Sequence, residues 1–290
     1  MPDFFNPILK KSDKALDKAN PENYKLSIQF SLDGFSFCVF DPPANKFLAI
    51  ESYSVQGNPG MEKFCREFED FTKNHEFLNS DFPEVLFLME TPKSTLIPTP
   101  LFDETEVRAF AGFNFPDDDS LVFLHDRLIY PDTFNLYAVP KSLMETLKSL
   151  FPRARFICHS SAFIEGLMIQ YKNLPEEKRV FVNTQNPFID IVIIEGKNLL
   201  YHNSFKYATK EDFIYYIIFV MEQLNLNPEE TELILSGFIE KSSSLFEMVY
   251  KYVRNIRFRE LSGNFSYSYV FDEIPSHYFT NLINSGLCEL

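Results

Sequence analysis

The stretch LSIQFSLDGFSFCVFD (Leu26–Asp41) holds two apolar segments separated by the dipeptide Asp33-Gly34. Two such segments around a small-residue turn predict a strand, a turn and a second strand. A hairpin of this kind is shaped to bring backbone N–H groups close to a phosphate. The stretch carries few of the residues that phosphate chemistry normally uses. It therefore predicts either a nucleotide site or a fold with only the shape of one.

Length and composition restrict the classes of protein to consider. A chain of 290 residues with 45% hydrophobic residues is long enough for two domains or one large one. The 33 Phe and 14 Tyr, with no Trp, predict an aromatic-rich core. The net charge of −14 makes a nucleic-acid partner unlikely, because such binding depends on Lys and Arg. Two groups of basic residues are interpreted as solvated faces: Lys10, Lys11 and Lys14, and Lys251, Arg254, Arg257 and Arg259.

No segment predicts secretion, a membrane span or a metal site. Cys38 and Cys65 lie in apolar patterns and are predicted to be small core residues, and the four widely spaced cysteines do not predict a disulfide framework. The longest apolar run, Phe213–Met221, is shorter than the roughly 20 residues that span a bilayer. No two histidines have helical spacing, so a zinc site is not expected. The sequence predicts a soluble cytoplasmic protein without membrane contact.

The order of predicted elements occurs twice. KLSIQF, FSFCVFD and FLAIESYSV predict three strands, which a helix with apolar residues from Met61 to Phe71 and the buried strand EVLFLME follow. RVFVNTQ, FIDIVIIEG and NLLYHNSF predict three more strands, followed by a helix capped by Thr209 with Asp212 and by the strand ELILSG. This repeat predicts two similar domains.

The same patterns suggest domain boundaries. We expect an N-terminal arm at 1–23 and a first domain at 24–175 that contains an insertion at about 91–131. A second domain is expected at 176–272, after the polar linker KNLPEEKR. The segment 273–290 is expected to form a helix that packs back on the first domain.

Two α/β domains that each begin with a three-stranded meander resemble the actin-like ATPase (ribonuclease H-like) fold. Sugar kinases, heat-shock chaperones and pilus-assembly ATPases share this fold. The segments LSIQFSLDGFSF, DPPANKFLAIESYS and LIPTPLF resemble an uncharacterised bacterial family of the same fold, and the resemblance covers the chain from about Tyr24 onward. The type IV pilus assembly ATPases are similar at a greater distance. The resemblance implies two domains, each a mixed sheet with helices, around a central cleft.

In active members of this fold, an Asp-x-Gly pattern on the first hairpin of each domain serves Mg²⁺ and phosphate. The resemblance places Gln29 and Ser31 at the first pattern, and Asn183 and Gln185 at the second. An amide has no charge for a divalent ion, and a side chain at the glycine position narrows the space for phosphate. Ser36 stands near the place of a basic side chain that some families carry.

The resemblance also implies an adenosine-binding turn of small residues after the later strand. Ser236 and Gly237 match this turn, but Phe238 follows where another small residue is expected. We therefore expect no catalytic residue, no metal and no cofactor. We expect a closed cleft filled by Phe35, Phe188 or Phe238.

Other residues leave alternatives open. Asp33-Gly34 is a natural hairpin turn, and alternation with Ile189 and Ile191 predicts that Asp190 faces solvent. Either aspartate would approach a cleft ligand if the motifs are shifted. Near the start of another predicted helix, His159, Ser160 and Ser161 suggest nucleophilic catalysis, but an N-cap at Ser161 is the simpler interpretation.

Three functions follow as hypotheses. The first is a non-catalytic actin-like-fold protein with a degenerate nucleotide site, acting on an unidentified protein partner as a scaffold or regulatory subunit. The alternative is a Mg²⁺- and ATP-dependent ATPase or small-substrate kinase, with Asp33 and Asp190 in displaced roles. A third is an RNA-associated accessory protein that uses the basic residues Arg254, Arg257 and Arg259.

Overall fold

A computed structural model of the chain describes residues 4–31, 33–57, 59–116 and 118–287. The strands are β1 (Phe5–Ser12), β2 (Lys25–Ser31), β3 (Gly34–Asp41), β4 (Lys46–Val55), β5 (Glu84–Met89), β6 (Ser94–Pro98), β7 (Leu121–Leu128), β8 (Thr133–Pro140), β9 (Arg155–Cys158), β10 (Lys178–Thr184), β11 (Phe188–Glu195), β12 (Asn198–Lys206), β13 (Glu232–Gly237), β14 (Asn255–Phe258) and β15 (Ser266–Tyr267). The helices are α1 (Met61–Asn74), α2 (Val107–Asn114), α3 (Lys141–Leu150), α4 (His159–Tyr171), α5 (Lys210–Gln223), α6 (Ser244–Tyr252) and α7 (Thr280–Asn284). Cys288 lies outside the described residues.

The first large sheet has the strand order β1-β4-β3-β2-β5-β9, and β15 pairs in parallel with the start of β4. Strands β2, β3 and β4 form an antiparallel meander because short turns connect them. Asn45 in the second turn has a positive φ of 49°, a conformation that Asn tolerates better than most residues. Strands β5 and β9 then pair in parallel, which requires longer connections that cross over the sheet.

The second large sheet repeats this arrangement with the order β12-β11-β10-β13-β14. Strands β10, β11 and β12 form the antiparallel meander, and β13 and β14 follow in parallel. Helix α5 connects the meander to β13, and Thr209 and Asp212 form the predicted capping box at its start. The predicted repeat of three strands, a helix and a strand is therefore confirmed.

A small third sheet, with the order β6-β8-β7, lies between β5 and α3 in the chain. Helix α2 packs on it through a small cluster that contains Ala111 and Leu136. The segment predicted as an insertion contributes β6 and β7 to this sheet and also contains α2. Strand β8, which follows that segment, is its central strand.

Helix α4 lies between the two large sheets, and 11 of its 13 residues are buried. Ala162 packs in the cluster of the first sheet, whereas Phe163 and Leu167 pack with residues of β10, β11 and β13. A helix that is apolar on every side is stable in water only when it is covered on every side. The apolar sequence of α4 therefore suits a central position, and its first residue, His159, lies between the two sheets.

The two ends of the chain add to the first sheet. Strand β1, within the predicted arm, pairs antiparallel with β4. Near the other end, Leu282 and Ile283 of α7 pack with Cys38 and Phe47. Helix α7 also lies against α4, where a Cβ on Gly166 would approach the Asn284 side chain to within 2.8 Å.

The main core of the first sheet is aromatic, as predicted. Phe5, Phe30 and Phe35 from the strands meet Phe64 and Phe68 from α1, mostly edge to face. Such contacts add to the free energy of burial because the positive edge of one ring meets the negative face of the next. Cys38 and Cys65 are buried core residues, as predicted. No helix among the described residues has the length and apolar character required to cross a membrane.

Candidate functional site

The first hairpin, β2–β3, carries four of the predicted cleft residues. The Ser31 hydroxyl donates a hydrogen bond to Asp33 Oδ1 at 2.5 Å, and its oxygen also lies 3.1 Å from the carbonyl oxygen of Gly34. Gly34 lies against β4 so closely that a Cβ there would be 2.0 Å from the carbonyl oxygen of Tyr53. The glycine is therefore required for strand packing at the turn, which agrees with the interpretation of Asp33-Gly34 as a structural turn.

The pocket beside this hairpin has a volume of about 210 Å³. Small-molecule sites usually measure about 300–1,000 Å³. Its polar lining comes from Gln29, Ser31, Asp33, Ser36, Ser52, Ser54, Glu90 and Asn186. Among the described residues, no Lys, Arg or His lines this pocket. The pocket is acidic, which opposes the binding of a phosphate.

Gln29 lines this pocket and also contacts a carboxyl group. Its amide Nε2 donates a hydrogen bond to Glu90 Oε1 at 2.5 Å. Burial raises the pKa of Glu90 to about 7, although the nearby His159 partly opposes this shift. Glu90 directly follows β5, where the sequence analysis assigned no functional residue. At neutral pH this carboxyl group is therefore divided between its charged and neutral forms.

The second hairpin, β10–β11, carries a row of polar residues on one face of the sheet. Asp190 is opposite Asn183 on one side and opposite Ser204 on the other. Asn183 is in turn opposite Ser236 of β13. The hydroxyl of Ser204 donates to Asp190 Oδ1 at 2.6 Å, and Asn183 Nδ2 donates to Asp190 Oδ2 at 3.3 Å. The hydroxyl of Ser236 donates to Asn183 Oδ1 at 3.2 Å, so the row is hydrogen-bonded across four strands.

The expectation that Asp190 faces solvent is wrong, since the side chain is completely buried. Alternation along β11 does not separate a solvent face from a core face, because helix α4 covers the face that carries Asp190. Ile189 and Ile191 lie on the opposite face, in the core that α5 forms with the sheet. A strand buried on both faces reads as nearly continuous apolar sequence, and one charged residue within it then needs a partner.

That partner is His159, the first residue of α4. Its Nε2 lies 2.8 Å from Asp190 Oδ2, and both side chains are fully buried. Its Nδ1 lies 3.3 Å from the carbonyl oxygen of Met89. A protonated imidazole has a donor on each nitrogen, which satisfies these two acceptors but not the backbone N–H of Thr91, which lies 3.4 Å from Nδ1. Phe188 packs against the ring, with 5.4 Å between the ring centroids.

The charged form of this pair is favoured in the folded protein. Burial lowers the pKa of His159, but the adjacent Asp190 carboxylate outweighs burial and raises it well above its usual value. Burial likewise raises the pKa of Asp190, but His159 and the nearby His202 together outweigh burial and hold this pKa well below its usual range. The two residues thus form a buried ion pair that joins α4 to the second sheet.

The start of α4 is held by a second buried carboxyl group, Asp126 of β7. Its Oδ2 accepts hydrogen bonds from the Ser161 hydroxyl at 2.6 Å and from the backbone N–H of Cys158 at 2.7 Å. The prediction of Ser161 as an N-cap is therefore wrong, because the helix begins two residues earlier, after Cys158. Burial raises the pKa of Asp126 to about 7. The hydroxyls of Ser160 and Ser161 also accept hydrogen bonds from Asn135.

The predicted adenosine turn is closed by the C-terminal part of the chain. Gly237 has a positive φ of 81°, and a Cβ there would be 2.1 Å from the carbonyl oxygen of Thr184. Its N–H donates to the carbonyl oxygen of His277 at 2.8 Å. Phe238 packs on Tyr278 and Phe279 at the edge of the small pocket. Backbone atoms of the chain itself therefore occupy the side of this turn that faces His277.

The remaining predicted side chains lie around this network. The N–H and carbonyl of Gln185 bond to the carbonyl of Phe188 and the hydroxyl of Tyr207, which closes the second hairpin. Phe35 belongs to the main core of the first sheet and also reaches the pocket. The described residues contain no group of three His, Cys, Asp or Glu that could hold a metal ion.

The interpretation of the second basic group as a solvated face is wrong for Arg259. This side chain is only 1% exposed, and its Nε lies 3.4 Å from Gln170 Oε1. Arg257 pairs with Glu232 at 2.5 Å. Arg257 and Arg259 thus serve internal contacts, and of the three arginines that the RNA hypothesis requires only Arg254 is exposed.

Comparison with known proteins assigns the chain to a family. The model of the family described as "Protein of unknown function (DUF3822)" matches residues 13–256. The chain belongs to this family. No curated protein sequence matches the chain.

Solved structures then show the fold. A protein of unknown function with an actin-like ATPase fold from Bacteroides thetaiotaomicron VPI-5482 is similar, with a TM-score of 0.79, 24% identity, and coverage of 94% of this chain and 99% of that one. The type IV pilus biogenesis complex PilM-PilN is also similar, with a TM-score of 0.60, 10% identity, and coverage of 91% and 97%. The predicted α/β fold and the predicted resemblance to an uncharacterised family are confirmed.

Sequence reasoning found one half of the network and missed the other. It selected Gln29, Asn183 and Asp190, but it did not connect them to His159 or Glu90. A charged residue at the centre of FIDIVII was the available signal, because a carboxylate in such an apolar strand requires a buried partner. Which of the five histidines supplies that partner depends on a contact between residues 31 positions apart.

Proposed function

We propose that this DUF3822 protein is a non-catalytic actin-like-fold protein with a degenerate nucleotide site, and that it acts as a scaffold or regulatory subunit through contacts with another protein. One observation carries the proposal. The two positions that match the Asp-x-Gly aspartates, Gln29 and Asn183, are hydrogen-bonded to the chain's own carboxylates, Glu90 and Asp190. Side chains that hold protein carboxylates are not free to hold a ligand.

The residues present do not fit Mg²⁺ with a nucleoside triphosphate. Divalent magnesium prefers carboxylate oxygens around it and keeps several of its own waters. Asp190 is saturated by His159, Ser204 and Asn183, and the pocket of about 210 Å³ at the first hairpin has an acidic lining. A polyphosphate placed there would meet the carboxyl groups of Asp33 and Glu90 without a compensating cation.

The buried ion pair also opposes an opening of the cleft. His159 begins a helix that packs on the first sheet, and Asp190 belongs to the second. Separating the two sheets would leave both charges buried without a partner or would require water to enter. Breaking a buried pair by removing one partner typically costs about 3–5 kcal/mol. A fold held in this way is better suited to rigid binding of another protein than to nucleotide-driven opening of the cleft.

A protein partner is the class of ligand that this proposal favours. The net charge of −14 opposes nucleic acid, and the internal contacts of Arg257 and Arg259 leave only Arg254 of the three arginines exposed. The similar PilM structure is that of a complex with a second protein, PilN. At 10% identity this likeness concerns the fold alone, but it provides an example of this architecture in a protein–protein complex.

Isothermal titration with ATP and ADP, with and without Mg²⁺, tests the proposal. We expect no heat of binding at high micromolar protein and no change in melting temperature. Mg²⁺-dependent binding that disappears in Asp33→Ala, and that the exposed-site control Asp103→Ala retains, would overturn the proposal. That result would support the ATPase or kinase alternative, with Asp33 at the ligand.

A further inference from the structure

Helix α5 is apolar on two opposite faces, but the chain covers only one of them. Phe213, Ile217 and Met221 point into the core of the second sheet. On the outer face, Tyr215 is 60% exposed and Phe219 is 39% exposed, and their rings stack with 5.9 Å between centroids. A helix with apolar residues all round is normally buried all round. The outer face of α5 is therefore a candidate interaction surface.

This outer face forms one wall of a groove, which we call the α5–α6 groove. Its lining residues are Glu211, Ile214, Tyr215, Ile218, Phe219, Glu222, Met248 and Tyr252, and its volume is about 420 Å³. Positions 211, 214, 215, 218, 219 and 222 follow helical spacing along α5, so they form one continuous stripe. Exposed apolar surface that polar residues border is typical of interaction sites.

The two charged residues that line the groove are both acidic, Glu211 and Glu222. They are placed at opposite ends of α5, and their separation of 11 positions corresponds to about 16 Å along the helix axis. Glu222 lies in the last turn, where the helix dipole disfavours a negative charge, and that turn contains no basic residue. Glu222 thus lowers the stability of the helix slightly, and this cost favours an interaction of its carboxylate with a basic residue of a partner.

We propose that the α5–α6 groove binds an amphipathic segment of a partner protein that carries apolar side chains between two basic residues about 16 Å apart. That separation corresponds to about 11 residues in a helix, or about five in an extended strand. The inference rests on the proposed function, since it assigns a surface and a chemical class to the partner. A second copy of this chain is disfavoured, because it brings the same two acids and a net charge of −14.

Two synthetic peptides test this proposal on the full chain. Both are 14-residue helical peptides with an identical Leu and Phe stripe, and they carry either Lys or Glu at positions 2 and 13. Fluorescence polarisation is expected to show binding of the Lys peptide, with the Glu peptide weaker by about tenfold, because two rim ion pairs together contribute about 1.4 kcal/mol. The double substitution Glu211→Lys and Glu222→Lys is expected to reverse this preference.

Apolar variants locate the binding surface. Tyr215→Ser with Phe219→Ser is expected to abolish binding of the Lys peptide, whereas Phe113→Ser, at an aromatic residue that is 86% exposed on α2, is expected to leave it unchanged. Circular dichroism verifies that each variant is folded. Absence of binding, or equal binding of both peptides, overturns the inference. A dimer in solution that Phe219→Ser converts to a monomer also overturns it, because a second copy then covers the groove.

The nucleotide titration separates this inference from the proposed function. If the chain binds both Mg²⁺-ATP and the Lys peptide, the groove inference stands and the non-catalytic assignment fails. If it binds neither, the non-catalytic assignment stands and the groove inference fails.

Discussion

The two hairpins that face each other across the middle of the molecule have the same backbone plan but different polar interiors. Beside β2–β3, Gln29 and Glu90 line a small pocket that Asp33 also reaches. In β10–β11, Asn183 and Asp190 are sealed beneath α4 and bonded to His159 and strand neighbours. The first hairpin has a small pocket that no basic side chain among the described residues lines. The second hairpin has a buried ion pair and, in the described part of the chain, no space for a ligand beside it.

Under the proposed function, the two hairpins are unsuited to a phosphate for two different physical reasons. At the first hairpin, the electrostatics are unsuitable, because carboxyl groups border the pocket and no basic side chain among the described residues does. At the second hairpin, the volume is unsuitable, because the chain's own histidine fills the place next to the aspartate. The predictions below test whether the hairpins differ in stability as they do in structure.

The largest effect is expected for Asp190→Asn. This change leaves the His159 charge buried without its partner and should lower the free energy of unfolding by about 3–5 kcal/mol. Asp33→Asn, the matched change at the first hairpin, should cost less than about 1 kcal/mol because its carboxylate lies at the surface of the pocket. Urea denaturation measures both. Equal losses would contradict the contrast between the hairpins.

A double-mutant cycle isolates the ion pair itself. In the His159→Gln background, Asp190→Asn is expected to lower the free energy of unfolding by at least about 1 kcal/mol less than it does in the unmodified chain. A difference of about this size is usual for the coupling energy between contacting residues. Strictly additive losses would show that His159 and Asp190 do not interact in solution.

An added Cβ at the close backbone contact of either hairpin is expected to cause a similar loss of free energy of unfolding. Gly34→Ala and Gly237→Ala would place a Cβ 2.0 and 2.1 Å from the carbonyl oxygens of Tyr53 and Thr184. Each should lower the free energy of unfolding by about 3 kcal/mol, through overpacking and backbone strain. Gly263→Ala is the control, since no atom lies within 4 Å of its Cβ position. A small effect at either of the first two positions, in denaturant titration, would contradict the close approach described above.

The free energy of unfolding should fall as the pH rises from about 5 to 8. Burial raises the pKa of Glu90 to about 7, so the folded chain keeps a proton that the unfolded chain releases above its ordinary pKa near 4.5. Stability from such a group is present below the unfolded pKa and is lost as the pH rises through the folded value. Asp126, with its pKa raised to about 7, and His159, with its pKa also raised, act in the same direction.

Glu90→Gln should reduce the fall in the free energy of unfolding between pH 5 and 8 by about 1–2 kcal/mol. The reason is that a glutamine can accept the hydrogen bond from Gln29 without titrating. Chemical denaturation at pH 5, 6.5 and 8 measures the slope. The exposed change Glu104→Gln is expected to leave the slope unchanged. An unaltered slope in Glu90→Gln would show that the pocket beside the first hairpin does not shift this carboxyl group.

Serine hydroxyl groups give a further comparison of the two hairpins. Ser204 donates to the buried Asp190 carboxylate, so Ser204→Ala should cost about 1.5–3 kcal/mol, as for other hydrogen bonds to charged groups. Ser36 donates to Ser52 at 2.9 Å, and Ser36→Ala should cost about 1 kcal/mol or less. Thermal unfolding compares the two. A larger loss at Ser36 would reverse the order of the two hairpins.

The sequence by itself determined the two meanders, the helix and strand that follow each of them, and their order. Short apolar segments separated by turn residues predict the two meanders, and the helical spacing of apolar residues predicts α1 and α5, since both signals are local. The Asp33-Gly34 turn and the Thr209 capping box were likewise readable from neighbouring residues.

Only the tertiary structure decided the chemistry of the interior. Whether Asp190 faces water depends on the position of α4, and the pairing with His159 depends on bringing a helix start onto a strand of the other sheet. Glu90, Asp126 and Arg259 acquire their unusual surroundings in the same way, through burial by elements distant in the chain. Local periodicity reports which face of a strand is apolar, but the free energy of a charge depends on what covers that face.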